Sequence, residues 1–233
     1  MFTVVVAATV LSYALGWVLD IPLFVPIFNT LAAFPFMVAA LSRGNVRLAI
    51  GRMLVWALAL AACSTLLSFA RPQRTDRLFL RGASYRVEMF EWVMTGHGAE
   101  SAPSRFLPQQ AAHTVAFAAL ALASGGAVAL AMGAVLMNYM GHYVGALAAA
   151  SAHPLATLLL AWHPWAVIRI VSFVTIGVIL AVPLLSRLDG FRVDARDARR
   201  LLAWAGAGLV ADVVLKWLFA PAWQHLLLRI VGW

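Results

Sequence analysis

The sequence predicts an all-α, multi-pass bundle of about seven transmembrane helices with one sizeable extramembrane loop. Two observations support this prediction. Of the 233 residues, 64% are hydrophobic and only 11% are charged, whereas a soluble domain is typically about a quarter charged. In addition, no Asp, Glu, Lys or Arg occurs between Arg105 and Arg169. A soluble globular enzyme, a disordered chain and a coiled coil are therefore excluded.

The lengths of the apolar segments predict the number of spans. A hydrocarbon core of about 30 Å requires about 20 helical residues. Segments that approach this length lie at 2–19, 22–42, 51–70, 112–136, 139–160, 165–186 and 200–219. Pro22 marks the turn after the first span, and Pro26 and Pro35 are expected to kink the second. An uncharged turn around 137–141 separates the fourth span from the fifth. The chain, 1–233, is interpreted as a single integral membrane domain.

Two short loops rich in arginine indicate the topology. Residues 43–52 carry Arg43, Arg47 and Arg52, and residues 187–200 carry five more arginines. Four spans between these loops put both on one side, which the positive-inside rule assigns to the cytoplasm. The loop at 71–111 is then non-cytoplasmic. We therefore expect a protein of the bacterial cytoplasmic (inner) membrane. Contact with lipid headgroups, and not with nucleic acid, accounts for the net charge of +8.

The long loop at 71–111 contains one amphipathic segment. On a helix, Val87, Phe90 and Met94 would share one face, with charged neighbours off it. Such a helix lies on the membrane surface or caps the bundle. The alternation from Tyr85 to Met89 also fits a short strand, so the pattern leaves both structures open.

Small residues recur every four positions in the fourth and fifth predicted spans. They are Ala121, Gly125, Ala129 and Gly133 in the fourth, and Gly141, Gly145 and Ala149 in the fifth. Small residues at this spacing let helix backbones approach closely. We therefore expect a tight helix pair. A homo-oligomer, or contact with other membrane subunits, is an alternative use of the same stripes.

Ionisable residues concentrate on the side of the membrane that holds the long loop. The candidates for one polar pocket are Glu88, Glu91, His97, Glu100, His113, His153, His163 and Arg169. Imidazoles and carboxylates bind metal ions or exchange protons near neutral pH, and Arg169 is suited to hold an anion. We expect His153 about two-thirds of the way along the fifth span, and His142 at the opposite face. The spacing matches no known metal motif, and rings at span ends also occur without a functional role.

Asp212 and Lys216 lie four residues apart in the seventh predicted span. This spacing puts both on one helix face, with the acid first, which is the favourable order. A charge near the centre of a bilayer is costly, so we expect both side chains to face protein and to interact. The pair is either a self-neutralising structural pair or a proton- or ion-coupling site.

Three functions fit these features. The first is a transport- or binding-type membrane protein with a polar site that opens to the non-cytoplasmic face; an interior cavity lined by Asp212 would favour it. The second is a membrane-embedded enzyme, with or without a metal, that acts on a lipid or lipid-linked substrate. The third is a structural subunit of a larger membrane complex. No nucleotide-binding loop, haem-attachment motif or dinucleotide fingerprint occurs in the sequence.

Overall fold

The computed structural model describes residues 2–189 and 191–232, and within them the chain forms eleven helices and no strand. The helices are α1 Phe2–Leu19, α2 Phe24–Leu31, α3 Phe34–Leu41, α4 Val46–Ala70, α5 Pro72–Leu78, α6 Gly82–Thr95, α7 Pro103–Ser124, α8 Ala127–Ala149, α9 Pro154–Ala161, α10 Pro164–Asp189 and α11 Ala195–Val231. The predicted all-α membrane bundle is confirmed.

Six segments of the described chain are long and apolar enough to cross a membrane. They are α1, the segment Phe24–Leu41 that contains α2 and α3, α4, α8, α10 and α11. Helix α7 has 22 residues, but Pro108, Gln109, Gln110 and His113 make its first half more polar than these six. The predicted count of about seven therefore corresponds to six apolar spans and the more polar α7.

The two arginine-rich loops lie at the same end of the bundle, as the sequence predicts. Arg47 on α4 donates hydrogen bonds of 2.7 and 3.1 Å to the carboxylate of Asp197 on α11. This end is termed the arginine end, and the opposite end, which carries α5 and α6, is termed the cap end. At the cap end, Arg74 donates a 2.8 Å hydrogen bond to the carbonyl oxygen of Trp17. Helix α1 therefore runs from the arginine end to the cap end.

The turn between α7 and α8 lies at Gly125 and Gly126, so the predicted turn at 137–141 is wrong. The two glycines have φ values of 59° and 89°, in the left-handed region that glycine adopts at little cost. Residues 137–141 continue inside α8. As a result His142 lies towards the cap end, not at the opposite face. The predicted fifth span is also divided, because α8 ends at Ala149 and His153 lies in the turn before α9.

Glycines on α8 allow it to approach α4 very closely. A Cβ atom added to Gly141 would overlap the side chain of Ser64, and one added to Gly145 would overlap the backbone of Thr65. The stripe in the predicted fifth span therefore does form a tight helix pair, but its partner is α4. The other predicted stripe is interrupted, because Gly125 belongs to the turn. The contact between the two helices is termed the α4–α8 seam.

A buried hydrogen-bond network joins α1, α2 and α8 beside this seam. The hydroxyl of Tyr13 donates to Oδ1 of Asn138, and Nδ2 of Asn138 donates to Oδ1 of Asn29 at 3.2 Å. Nδ2 of Asn29 donates in turn to Oγ of Ser12 at 2.7 Å. Polar side chains inside a membrane bundle require such internal partners, and here they pair across three helices.

Helix α6 caps the bundle, so the strand alternative for this segment is wrong. Its buried residues Met89, Trp92 and Val93 lie in one apolar cluster with residues of α8 and α11. The predicted apolar face stays open, since Val87 and Met94 are 57% and 56% exposed. The helix thus presents one apolar face to the bundle and a second face suited to contact with lipid.

Candidate amphiphile site at the cap end

A cavity of about 390 Å³ opens between the cap helix α6 and helices α4, α7, α8, α10 and α11. Its polar wall includes Arg81, Glu88, Glu100, Gln109, Gln110, His113, Arg169 and Lys216. Its apolar wall includes Trp56, Phe117, Leu130, Leu136, Met137, Ile170, Phe173 and Val174. The volume lies within the range of small-molecule sites in proteins, roughly 300–1,000 Å³. The cavity is therefore amphipathic, with ionisable groups on one part of its wall and hydrocarbon on the other.

An ion pair between α10 and α11 forms part of the polar wall. Nε and Nη2 of Arg169 donate to the two carboxylate oxygens of Asp212 at 2.8 and 2.9 Å. Nε2 of Gln110 on α7 also donates to Asp212, at 2.6 Å. Asp212 is fully buried behind Arg169. The Arg169 side chain is 26% exposed and lines the cavity. The carboxylate therefore orients the guanidinium from behind and does not itself line the cavity.

A second ion pair joins α11 to the loop before α7. Nζ of Lys216 donates to Oε1 of Glu100 at 2.9 Å and lies 4.7 Å from the ring centroid of Phe106. Burial raises the pKa of Glu100, but the positive charges of Lys216 and Arg169 outweigh burial and hold this pKa at about 2. Glu100 is therefore ionised at neutral pH, and the buried charge of Lys216 is balanced.

Asp212 and Lys216 thus both face protein, but each has another residue as its main partner. Asp212 pairs with Arg169, and Lys216 pairs with Glu100. The expectation that both face protein and lie close enough to interact agrees with their burial and their electrostatic interaction, but neither is the other's hydrogen-bond partner. The four charges thus form two ion pairs, of which Arg169, Lys216 and Glu100 line the cavity. The i, i+4 spacing identified two buried charges but not their partners, which lie on other elements of the chain.

The structure brings together some of the eight predicted pocket residues and separates others. Four line the cavity: Glu88, Glu100, His113 and Arg169. Three are exposed and lie outside its lining: Glu91, His97 and His153. The position of His153 is a correction. The residue was expected inside the fifth span, where it would meet His113 in one pocket. The chain leaves α8 before reaching it, so His153 only precedes the first turn of α9.

His163, the eighth predicted residue, lies in a buried aromatic cluster near the cavity wall. Its ring stacks on Trp165 with centroids 4.8 Å apart and meets the edge of Trp92 at 5.3 Å. Within the described residues, Nε2 of His163 has no hydrogen-bond partner. Burial lowers the pKa of His163 to about 4, so the imidazole is neutral at physiological pH.

Ser68, His142 and Asp76 form a hydrogen-bonded chain with the residue types of a serine-hydrolase triad. Nδ1 of His142 lies 2.9 Å from Oγ of Ser68, and Nε2 lies 2.8 Å from Oδ1 of Asp76. A serine nucleophile needs contact with its substrate, but Ser68 is fully buried against Gly145 in the α4–α8 seam. None of the three residues lines the cavity. These three hydrogen-bonded residues therefore have a structural role.

Asp76 also connects His142 and Ser68 to the cap helix α6. Arg86 on α6 donates hydrogen bonds of 2.8 and 2.9 Å to the Asp76 carboxylate. Burial raises the pKa of Asp76, but the hydrogen bonds from Arg86 and His142 outweigh it and hold the pKa below its ordinary value. The ionised carboxylate thus ties α5 and α6 to the end of the α4–α8 seam.

Sequence reasoning missed several residues of the site. Gln110, Arg81 and Tyr85 line the cavity but were not among the candidates. Gln110 carried no signal, because the sequence analysis placed it at the end of the extramembrane loop 71–111, where a glutamine needs no partner in the protein. Arg81 and Tyr85 carried no signal either, since both lie in a loop where polar and aromatic residues are ordinary.

The fold and cavity define an integral membrane helix bundle with an amphipathic site at its cap end. Within residues 2–189 and 191–232, no group of three or more His, Cys, Asp or Glu side chains is arranged to hold a metal ion. The chain matches no protein-family model, no curated protein and no solved structure.

Proposed function

We propose that this protein is a binding-type membrane protein that holds an amphiphilic ligand in the cavity at its cap end. The observation that carries the proposal is the division of the cavity wall. Arg169, Lys216 and Glu100 lie on its polar part, whereas Trp56, Phe173 and other apolar residues form the rest. A purely polar solute would leave the apolar part of the wall without apolar contacts, and a hydrocarbon would exclude water from the polar part without offering it any hydrogen bond. A molecule with a polar head and an apolar chain satisfies both parts.

The position of the cavity supports a ligand that comes from the membrane. Exposed apolar side chains cover the outer faces of the spanning helices, for example Leu58, Leu66, Leu159 and Val210. The polar part of the site belongs to the end that carries α6, where lipid headgroups meet water. By the positive-inside rule this end faces away from the cytoplasm, as in a protein of a bacterial cytoplasmic membrane.

Photo-crosslinking tests the proposal. The full-length protein in vesicles is exposed to a phospholipid that carries a diazirine in its acyl chain, and the modified peptides are identified by mass spectrometry. We expect labelling of cavity residues such as Leu136 and Val174, in addition to the lipid-exposed surface. The variant Gly133→Leu adds a side chain at the cavity wall, and it should abolish the cavity labelling. Gly206→Leu is the matched control, because nothing lies within 4 Å of a Cβ at Gly206.

Two results would overturn the proposal. The first is labelling confined to the outer surface of the wild-type protein. The second is equal cavity labelling in the wild type and in Gly133→Leu.

A further inference from the structure

Two exposed charged residues on the cavity wall are not engaged by any side chain that the structure describes. Arg169 is committed to Asp212, and Lys216 to Glu100. In contrast, the side chains of Arg81 and Glu88 make no ion pair or hydrogen bond with any residue in the described ranges, although both line the cavity. They lie seven residues apart at the start and middle of α6, about 10 Å along the helix axis. The polar part of the cavity therefore offers one unpaired cation and one unpaired anion.

The backbone at Arg81 is unusual for an arginine. Its φ is 52°, in the left-handed region, which is unfavourable for a residue with a side chain. Such a conformation persists only where the surrounding structure imposes it; Asp20, the other described residue of this kind besides glycine, lies in the turn after α1. Here the strained residue immediately precedes α6, and its guanidinium lines the cavity. The fold thus maintains an unpaired guanidinium at the site at a cost in stability.

Aromatic rings lie in the same part of the cavity wall. Tyr85 on α6 and Tyr139 on α8 stack with centroids 5.1 Å apart, and both line the cavity. The faces of such rings attract organic cations. A carboxylate and aromatic rings together form a suitable environment for an ammonium group, just as a guanidinium forms one for a phosphate.

From this arrangement, and on the basis of the proposed function, we infer that the ligand's head is a phosphate ester that carries an amine. The phosphate contacts Arg81 and the N–H groups of Arg169 that Asp212 does not occupy. The amine contacts Glu88 and the tyrosine rings. A head with only negative charge would be repelled by Glu88, and a head with only positive charge would be repelled by Arg81.

A competition experiment tests the assignment. The full-length protein is cross-linked to the diazirine phospholipid while phosphatidylethanolamine or phosphatidylglycerol of equal chain length competes. We expect phosphatidylethanolamine to compete about tenfold better. Glu88→Gln should reduce this preference to about one, and Arg81→Gln should weaken both competitors about tenfold. The matched controls are Glu91→Gln on the same helix and Arg77→Gln before it, since both residues are exposed and lie outside the cavity lining.

The outcomes separate this inference from the proposed function. Equal competition by the two lipids in the wild type, or an unchanged preference in Glu88→Gln, overturns the head-group assignment even if the cavity is still labelled. A tail-free competitor, glycerophosphoethanolamine, distinguishes a lipid from a soluble ligand. If it competes as well as the lipid, the head-group assignment stands and the amphiphile proposal falls.

Discussion

The α4–α8 seam and the cavity use two faces of the same helix, α8, in opposite ways. On one face, Gly141 and Gly145 bring the backbone of α4 so close that no side chain fits between them. On the other face, Leu136, Met137 and Tyr139 line an open space. This difference determines which polar groups are available to bind a ligand. In the seam Ser68 and His142 are hydrogen-bonded within the protein, whereas beside the cavity Arg81 and Glu88 remain for another molecule.

Two buried histidines show the same contrast at the level of single atoms. Both ring nitrogens of His142 at the seam have partners, Ser68 and Asp76. Nε2 of His163, near the cavity, has none in the described part of the chain. Burial of an unsatisfied polar atom costs about 1–3 kcal/mol. His142 therefore contributes its hydrogen bonds to the fold, whereas His163 leaves one polar atom unsatisfied.

The largest expected effect comes from adding a side chain to the seam. In Gly145→Leu, the new Cβ would overlap the backbone of Thr65, and backbone cannot move aside as a flexible side chain can. We expect no folded protein on size-exclusion chromatography in detergent. Gly133→Leu, on the cavity face of the same helix, should fold. If both variants fold equally well, the distinction between the two faces of α8 is wrong.

A smaller effect is expected from the ion pair behind the cavity. Asp212→Asn leaves the largely buried guanidinium of Arg169 without its carboxylate, which should cost about 4 kcal/mol of unfolding free energy. The double variant Asp212→Asn/Arg169→Gln should be more stable than Asp212→Asn alone, as measured by denaturant unfolding in detergent. A double-mutant cycle should give a larger coupling for Asp212–Arg169 than for Asp212–Lys216. The reverse order would restore the local pair that the sequence spacing indicates.

The smallest effect concerns pH. The pKa of His163 falls from 6.5 to about 4 on burial. Between these values the unfolded chain binds a proton that the folded protein does not, so stability falls as the pH falls from about 6.5 to about 4. The loss approaches about 3 kcal/mol, at 1.36 kcal/mol per pKa unit. His163→Phe should remove this part of the pH dependence in thermal unfolding, whereas His153→Phe should not. A wild-type profile that matches His163→Phe would contradict the assignment.

Much of the fold follows from composition and from the spacing of charges. Apolar length predicts the spans, and the arginine loops predict that α4 and α11 begin at the same end, where Arg47 meets Asp197. The failure lies between Arg105 and Arg169, where no charge marks a boundary. There the only signal was Gly125–Gly126, and a glycine at four-residue spacing also fits a packing stripe. A turn and a packing stripe differ in the backbone conformation of Gly125, and the residue types alone do not specify that conformation.

The site is less predictable because its contacts join distant parts of the chain. The sequence identifies Asp212 as a buried charge that needs a partner, but its spacing indicated Lys216 for that role, and Arg169 was expected to hold an anion. Helix packing selects Arg169 on α10. Glu100 was a candidate pocket residue only because it shares a membrane side with the others; nothing in its neighbours indicates the contact with Lys216. Proximity of this kind arises from tertiary structure and has no local pattern.

The glycine turn between α7 and α8 also bears on how the chain enters the membrane. From Phe106 through the end of α8 the hairpin carries no charged residue. The positive-inside rule therefore gives this stretch no preferred orientation in the membrane. The direction of this hairpin must be inherited from the arginine-flanked helices α4 and α10 on either side. Reversal of those flanking charges should therefore invert a hairpin whose own charge is limited to Arg105 in the first turn of α7.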